Sequence, residues 1–221
     1  MHIANGTIAM RIKAFRLAPV AAFVSMVLLS GCSTATDSIR DPRIATEVAR
    51  SDVLNVSYRP QTNQVGCGIA TLSSVLAYWD VPNELSTLEQ VYKPDAEGGY
   101  SMGKLATVAQ TVGLKAFVVK MDNATARKQI QAGRPVIVPI RKDVYGYIIG
   151  DTWIYKTIKT HVLDHVMDED SLYFNHYVAL IGMDDGNFWI LDPDEGILSI
   201  DGERLARMRR TFDDASLMVG R

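Results

Sequence analysis

A cysteine, a histidine and a carboxylate occur in this chain in an order that suits nucleophilic catalysis. Cys67 lies between Gly66 and Gly68, and the only other cysteine is Cys32. Apolar residues recur at helical spacing after Cys67, which predicts that Cys67 begins a buried helix. Unpaired N–H groups and the dipole at a helix start stabilise a thiolate. The two glycines leave room for the backbone of a substrate to approach.

A histidine and an aspartate further along the chain are placed to pair. Asp184-Asp185-Gly186 is a hairpin-turn signal, and His176 and Asp192 each lie eight residues from Asp184. We expect the two side chains to face each other across antiparallel strands, unless a bulge alters the register. A carboxylate orients an imidazole and favours its charged form, which a thiolate–imidazolium pair requires.

A side-chain amide precedes the cysteine. Gln61 stands six residues before Cys67. It can donate, together with the Cys67 backbone N–H, to an oxyanion that develops on a carbonyl under attack. Singly, these residues have ordinary explanations, such as a small buried cysteine, a structural histidine or the common turn opening Asp192-Pro193. Their joint order and spacing favour catalysis.

The elements predicted around these residues are helices first and then mostly antiparallel strands. Helices are predicted over residues 67–79, 102–112, 124–131 and 202–210. Strands are predicted over residues 114–121, 135–140, 177–183, 187–191, 197–200 and 216–219. This order predicts an α+β fold in which the helix that bears the cysteine packs on the sheet.

Three stretches of the sequence resemble the C39 peptidases, the double-glycine leader peptidases within the papain-like cysteine proteases. They are Gln61-x5-Cys67-Gly68-x-Ala70, His176-Tyr177-Val178-Ala179-Leu180-Ile181-Gly182 and Leu191-Asp192-Pro193. The resemblance spans residues 57–219 and implies a papain-like cysteine protease fold. It also implies roles by position: the nucleophile, the general base and acid, the orienting carboxylate and the oxyanion-hole residue are Cys67, His176, Asp192 and Gln61. We expect Gly66, Gly68 and Tyr177 to contact the substrate.

The sequence departs from the best-known C39 domains, which are cytosolic and fused to a peptide-exporting ABC transporter. Many of them carry an acidic residue where Gly66 stands, so double-glycine specificity is left open. We expect a stand-alone enzyme that cleaves a peptide or secreted protein as an accessory of a secretion or functional-amyloid export system. The alternatives are a Cys/His cell-wall peptidase and a non-catalytic peptide-binding or secretion-chaperone lipoprotein on the same fold.

The N-terminal residues predict export. A basic stretch precedes an apolar run over residues 17–29, which is too short for a comfortable membrane span. Leu29-Ser30-Gly31-Cys32 resembles the bacterial lipobox, which implies removal of residues 1–31 and lipidation of Cys32. An ordinary secretory signal or an anchoring helix is the alternative. Residues 32–50 are predicted to form a tether, and residues 51–221 are predicted to form one domain. Ser33 favours the outer membrane, facing the periplasm.

Other partners receive little support. The net charge of −2 with scattered signs gives no basic surface for nucleic acid. Residues 141–175 form a long, aromatic-rich connection, which predicts either a lid or substrate loop or a local mini-core. His161 and His165 within it share a helical face and could hold zinc. A solvated acidic face is the simpler interpretation, and we expect no metal and no cofactor.

Overall fold

The computed structural model describes residues 52–95, 98–143 and 173–221. The chain begins with helices α1 (Cys67–Tyr78), α2 (Leu85–Val91) and α3 (Met102–Thr111), strand β1 (Lys115–Lys120) and helix α4 (Asn123–Gln131). It continues with β2 (Val136–Asp143), β3 (Tyr173–Asp184), β4 (Asn187–Asp192), β5 (Gly196–Asp201), α5 (Gly202–Arg209), a 3-10 turn (Arg210–Phe212) and β6 (Ala215–Gly220). The expected α+β class is confirmed.

Six of these strands form one sheet in the order β1-β6-β2-β3-β4-β5, and every neighbouring pair is antiparallel. The last strand of the chain, β6, is inserted between β1 and β2, where Ile137 pairs with Leu217. β3 lies between β2 and β4 and therefore has hydrogen-bonded neighbours on both sides. The prediction of a mostly antiparallel sheet is confirmed.

Both faces of the sheet are covered, because side chains alternate along its central strands. In β2, Ile137 joins the core formed with α1, α2 and α3, whereas Val138 and Ile140 join the core formed with α4 and α5. In β3, Ala179 and Leu180 divide in the same way. Full burial of one such aliphatic side chain contributes about 1.5–3 kcal/mol.

Helix α1 is buried along nearly its whole length, from Cys67 to Leu76. It begins where predicted, behind Gly66, which makes no side-chain cap. The N–H groups of its first turn are therefore not used by a capping side chain. The helix ends one residue earlier than expected, and Asp80 then adopts a left-handed conformation with φ 53°.

The structure differs from the sequence prediction at helix α2 and in the connection between β2 and β3. Helix α2 was not predicted, because only Leu85 and Leu88 of its seven residues are buried. β2 continues to Asp143 and β3 begins at Tyr173, so the connection predicted as residues 141–175 is limited to 144–172. His176 is consequently inside a strand and not at its start.

Several predictions fall outside the described residues. These are the signal peptide, Cys32, the tether, the zinc candidates His161 and His165, and most aromatic residues of the predicted lid. Among the residues that are described, none of the helices combines the length and the apolar character that crossing a membrane requires.

Candidate active site

Cys67 is nearly buried, with a relative exposure of 9%, and it is the first residue of α1. The hydroxyl Oγ1 of Thr71, one turn along the helix, lies 2.8 Å from the Cys67 carbonyl oxygen and 3.2 Å from that of Tyr177. Tyr177 is the residue after His176 in β3. The Thr71 hydroxyl therefore ties the start of the cysteine helix to the histidine strand.

His176 and Asp192 form the expected pair. His176 Nε2 lies 2.8 Å from Asp192 Oδ1, and both side chains are buried. Their register differs from the prediction, because the hairpin turns at Asp185-Gly186, with Asp184 paired with Asn187, and not around Asp184. An irregularity between Leu180 and Gly182 then shifts the ladder by one residue. The pair Ala179–Leu191 fixes the register beyond it. His176 is therefore diagonal to Asp192 on the same face, not directly opposite, and that separation is still within side-chain reach.

His176 connects the aspartate to the cysteine. Its ring lies 2.8 Å from Asp192 through Nε2, and Cys67 is close enough to contribute to its raised pKa. Burial by itself lowers the pKa of His176, but the hydrogen bonds and negative charges of Asp192 and Cys67 outweigh it and raise the pKa to about 9. The geometry thus favours an imidazolium beside the sulfur.

Asp192 is fully buried at the end of β4 and is held from several sides. Its Oδ1 also accepts from the backbone N–H groups of Asp194 at 2.7 Å and Glu195 at 3.2 Å. Its Oδ2 lies 3.0 Å from Lys142 Nζ. Burial opposes ionisation, but His176, Lys142 and the Asp194 N–H together hold the pKa of Asp192 well below its usual range. Asp192 is therefore a fixed carboxylate.

Lys142 was not singled out from the sequence. The residue is only 1% exposed, although it follows an apolar strand run near the end of β2. A sequence signal did exist, since Asp192, Asp194 and Glu195 crowd three carboxylates into one turn, and buried charges require a partner. Which of the 23 basic residues supplies that partner could not be read from the sequence.

Gln61 lies next to the turn that follows Asp192. Its backbone N–H donates to the Pro193 carbonyl at 2.8 Å, and the Tyr58 hydroxyl approaches the same oxygen at 3.4 Å. The side-chain Oε1 of Gln61 is buried, and within the described ranges it has no hydrogen-bond partner. The segment before the cysteine is thus attached to the turn after the aspartate, with an unpaired amide oxygen nearby.

A family model described as "Peptidase_C39 like family" matches residues 53–201. The chain belongs to this family. The resemblance drawn from the sequence motifs is thereby confirmed, and the matched range contains Gln61, Cys67, His176 and Asp192.

Curated relatives and solved structures agree with this C39-like assignment. The transport/processing ATP-binding protein ComA of Streptococcus pneumoniae is 25% identical over 140 residues, which are 63% of this chain and 15% of ComA. The match thus spans a small part of that longer relative. ComA is described as a processing protein, and the fold and family of this chain support a peptidase.

The structural neighbours confirm the papain-like C39 fold. The peptidase domain of Streptococcus ComA has a TM-score of 0.52 at 16% identity and covers 75% of this chain and 98% of that domain. A putative C39-like peptidase from Bacillus anthracis has a TM-score of 0.57 at 17% identity, covering 78% and 98%. A double glycine motif protease from an AMS/PCAT transporter, solved with its leader peptide, has 0.52 at 18% identity, covering 77% and 94%.

Gly66, Gly68 and Tyr177, which are expected to contact substrate in this C39-like peptidase, have different neighbours. A Cβ at Gly68 would lie 3.2 Å from both Leu105 Cδ1 and Tyr177 Cδ2, so the protein itself fills the space that this glycine leaves. A Cβ at Gly66 would meet Asn63 at 3.3 Å. Burial, with smaller contributions from Cys67 and Asp95, raises the pKa of Tyr177 to about 12. The Tyr177 phenol is therefore neutral.

Metal chemistry has no visible site in the part of this C39-like peptidase that the structure describes. Among those residues, no group of three or more His, Cys, Asp or Glu side chains is arranged to hold an ion. The nearby Asp192, Asp194 and Glu195 carboxylates surround a lysine ammonium instead. The described site therefore presents a thiol, an imidazole and a carboxylate.

Proposed function

We propose that this protein is a cysteine peptidase that cleaves peptide bonds through Cys67, His176 and Asp192. One observation carries the proposal: the buried His176 ring lies 2.8 Å from Asp192 and is close enough to Cys67, the first residue of a buried helix, for Cys67 to contribute to its raised pKa. A thiol, an oriented imidazole and a fixed carboxylate in this order are the parts of nucleophilic acyl transfer.

The proposed reaction has two halves. In the first, the Cys67 thiolate attacks the scissile carbonyl carbon, and the tetrahedral intermediate collapses as His176 protonates the departing amine. A thioester to Cys67 and a free amine result. In the second, neutral His176 takes a proton from water, the hydroxide attacks the thioester, and the carboxylic acid product and the Cys67–His176 pair are released. Asp192 keeps the ring oriented in both halves.

Gln61 is the proposed oxyanion-hole residue, together with the Cys67 backbone N–H. Its backbone N–H donates to the carbonyl of Pro193, directly after Asp192, which supports a position at the edge of the same site. The N–H groups at the start of α1, which are not used by a capping side chain, add a favourable environment for negative charge.

The substrate and location proposed here are finer than the family assignment. We propose a peptide or secreted protein substrate, since a double glycine motif protease of similar fold was solved with a leader peptide. The lipobox-like residues before Cys32 support a lipid anchor, and Ser33 after it supports a position on the outer membrane, facing the periplasm. A secretion or functional-amyloid export system is the proposed partner, in keeping with such a location.

The test uses the full-length protein in detergent, a proteome-derived peptide mixture, and mass spectrometry of the products. Wild type should release new peptide termini, and Cys67→Ala should release none. Brief incubation with acid quenching should reveal an acyl adduct on Cys67. Equal binding of peptides by both proteins without cleavage would reject catalysis and favour the peptide-binding alternative. Cleavage of purified peptidoglycan alone would favour the cell-wall alternative.

The anchor is tested separately in a Gram-negative host. Wild type should incorporate a clickable fatty acid and fractionate with outer membranes, whereas Cys32→Ala should do neither. Incorporation that persists in Cys32→Ala would place the acyl group elsewhere and remove the lipobox argument. This outcome would leave the catalytic proposal untouched.

A further inference from the structure

Lys142 is a buried cation in contact with three carboxylates. Its Nζ lies 3.0 Å from Asp192 Oδ2, 3.1 Å from Asp194 Oδ2 and 2.8 Å from Glu195 Oε1. The lysine side chain is 2% exposed and that of Asp192 is 0% exposed. Solvent therefore screens the Lys142–Asp192 contact little, unlike a surface ion pair.

The contact joins Lys142 to the site through the carboxylate that His176 uses. Asp192 divides its oxygens between the two cations, with Oδ1 toward His176 Nε2 at 2.8 Å and Oδ2 toward Lys142 Nζ. One carboxylate thus binds two cations. A change in the charge of Lys142 must therefore change how strongly Asp192 holds the His176 imidazolium.

We propose that Lys142 is a positioning residue of this site: it holds Asp192 by Oδ2 and offsets the charges of Asp194 and Glu195, so that His176 can both keep and release its proton. The proposal rests on the cysteine-peptidase function above. Acylation needs an imidazolium that protonates the amine, and deacylation needs a neutral imidazole that accepts a proton from water. Without the lysine, the negative charge of Asp192, Asp194 and Glu195 would hold the proton on His176 too firmly.

The groups that face this network come from several elements. Asp192, Asp194 and Glu195 approach Lys142 from the β4–β5 turn. From β3, the Phe174 ring lies 5.8 Å from Lys142 Nζ, and its centroid is 5.7 Å from that of the His176 ring. Cys67 and Asp192 face His176, and Tyr177, next to it in sequence, stays neutral. Burial opposes the charge of Lys142, but the carboxylates outweigh it and raise its pKa, so the lysine remains a cation.

The first test is the pH titration of His176 by NMR in the full-length chain, with its resonances assigned by their loss in His176→Gln. Lys142→Met should raise the pKa of His176 by about one unit, since a nearby cation has been removed. Lys142→Arg, which keeps the charge, should restore the wild-type titration. Lys120→Met is the matched control, because it removes an exposed lysine that pairs with Asp213 and not with a carboxylate of the site.

Turnover supplies the second readout. With a peptide that the wild type cleaves, Lys142→Met should lower kcat several-fold at neutral pH with little change in KM, and the Cys67 thioester should accumulate. A lysine that only stabilises the fold would lower the resistance to urea and leave the His176 titration where it was. That result, or a His176 pKa that falls, would overturn the proposal.

A second variant, expected to shift the pKa of His176 in the opposite direction, keeps the proposal testable if Lys142→Met does not fold. Asp194→Asn with Glu195→Gln removes two anions but keeps the backbone N–H groups that hold Asp192. It should lower the pKa of His176, and an unchanged or raised value contradicts the proposal. Because the titration needs no substrate, it separates the two ideas: absence of peptide cleavage would reject the peptidase, whereas a wild-type titration in both variants would reject only the lysine role.

Discussion

Two buried cations stabilise this molecule in different ways. Lys142 and Arg209 are both almost inaccessible to solvent, with 1% and 0% exposure. Lys142 is surrounded by carboxylates, which raise its pKa. The Arg209 guanidinium donates to neutral oxygens: Asn123 Oδ1, the carbonyls of Met121 and Asp214, and Ser216 Oγ. Burial lowers the pKa of Arg209, although Asp214 and Asp122 partly offset this.

The two cations differ in what their removal would change. Arg209 attaches α5 to the loop before α4 and to the start of β6, so its removal affects the packing of those segments. Lys142 lies one carboxylate away from His176, so its removal also changes a proton equilibrium. Buried charge therefore serves architecture at one place and the reactivity of the site at the other, and the following experiments separate these two uses.

The largest effect is expected at the reacting groups themselves. Cys67→Ser and His176→Gln should each lower kcat/KM by at least about 10⁴-fold, because such residues act as a unit. Urea unfolding should show that both remain folded. Substantial cleavage by either variant would show that the replaced residue does not carry out the reaction.

The link between lysine and histidine is examined next by Asp192→Asn. We expect kcat to fall about 10- to 100-fold, less than for His176→Gln, because the amide oxygen can still accept a hydrogen bond. Loss of the charge should move the pKa of His176 from about 9 toward its ordinary value. The NMR titration measures this shift, and a pKa that stays near 9 would show that Asp192 is not its cause.

Arg209→Met tests the architectural side. It leaves several buried oxygens without their donor, and we expect the free energy of unfolding to fall by about 3 kcal/mol. The alkylation rate of Cys67 in the folded protein should stay unchanged. Arg207→Met on the exposed side of the same helix is the matched control and should be close to neutral. A change in Cys67 reactivity in Arg209→Met would erase the distinction between the two cations.

The loss of stability between neutral pH and pH 9.5 should come from the site. The pKa of His176 is raised to about 9, so its imidazolium stabilises the fold fully below its unfolded pKa of about 6.5, and this contribution is lost as pH rises through about 9. The pKa of Asp192 is lowered, so its contribution is present above about pH 4 and lost on acidification below it. Urea unfolding at pH 5, 7 and 9.5 should show the alkaline loss in wild type and in Arg209→Met. In His176→Gln the loss should shrink.

The smallest expected effect is that of Thr71→Val. The change keeps the shape of the side chain but removes the hydroxyl between the Cys67 and Tyr177 carbonyls, at a cost of about 1–2 kcal/mol in stability. A fall in kcat of about tenfold or less should accompany it, because Cys67 and His176 lose one of the contacts that fix their spacing. Steady-state kinetics decides, and Thr107→Val, at an exposed helical hydroxyl, is the control.

Local pattern was sufficient for much of the fold and for the pairing of His176 with Asp192. The apolar period after Cys67 predicted α1, and the turn at Asp185-Gly186 predicted the β3–β4 hairpin. The predicted strand register of His176 and Asp192 was wrong by two residues, because the turn was centred on Asp184, whereas Asp184 pairs with Asn187 across Asp185-Gly186. Lys142 was missed for a different reason. Its partners come from a turn some fifty residues away, and only the register of β2, β3 and β4 brings them together.

The insertion of β6 between β1 and β2 has a consequence for the order of events during folding. β1 cannot take its place in the sheet until the last strand of the described chain has been made, because β6 is its neighbour. Pairings between residues so distant in sequence form slowly. Until then the core that packs against the helix beginning at Cys67 lacks Leu217 and Val219 of β6. The part of the fold that carries the cysteine is therefore completed only when the end of the described chain has joined the sheet.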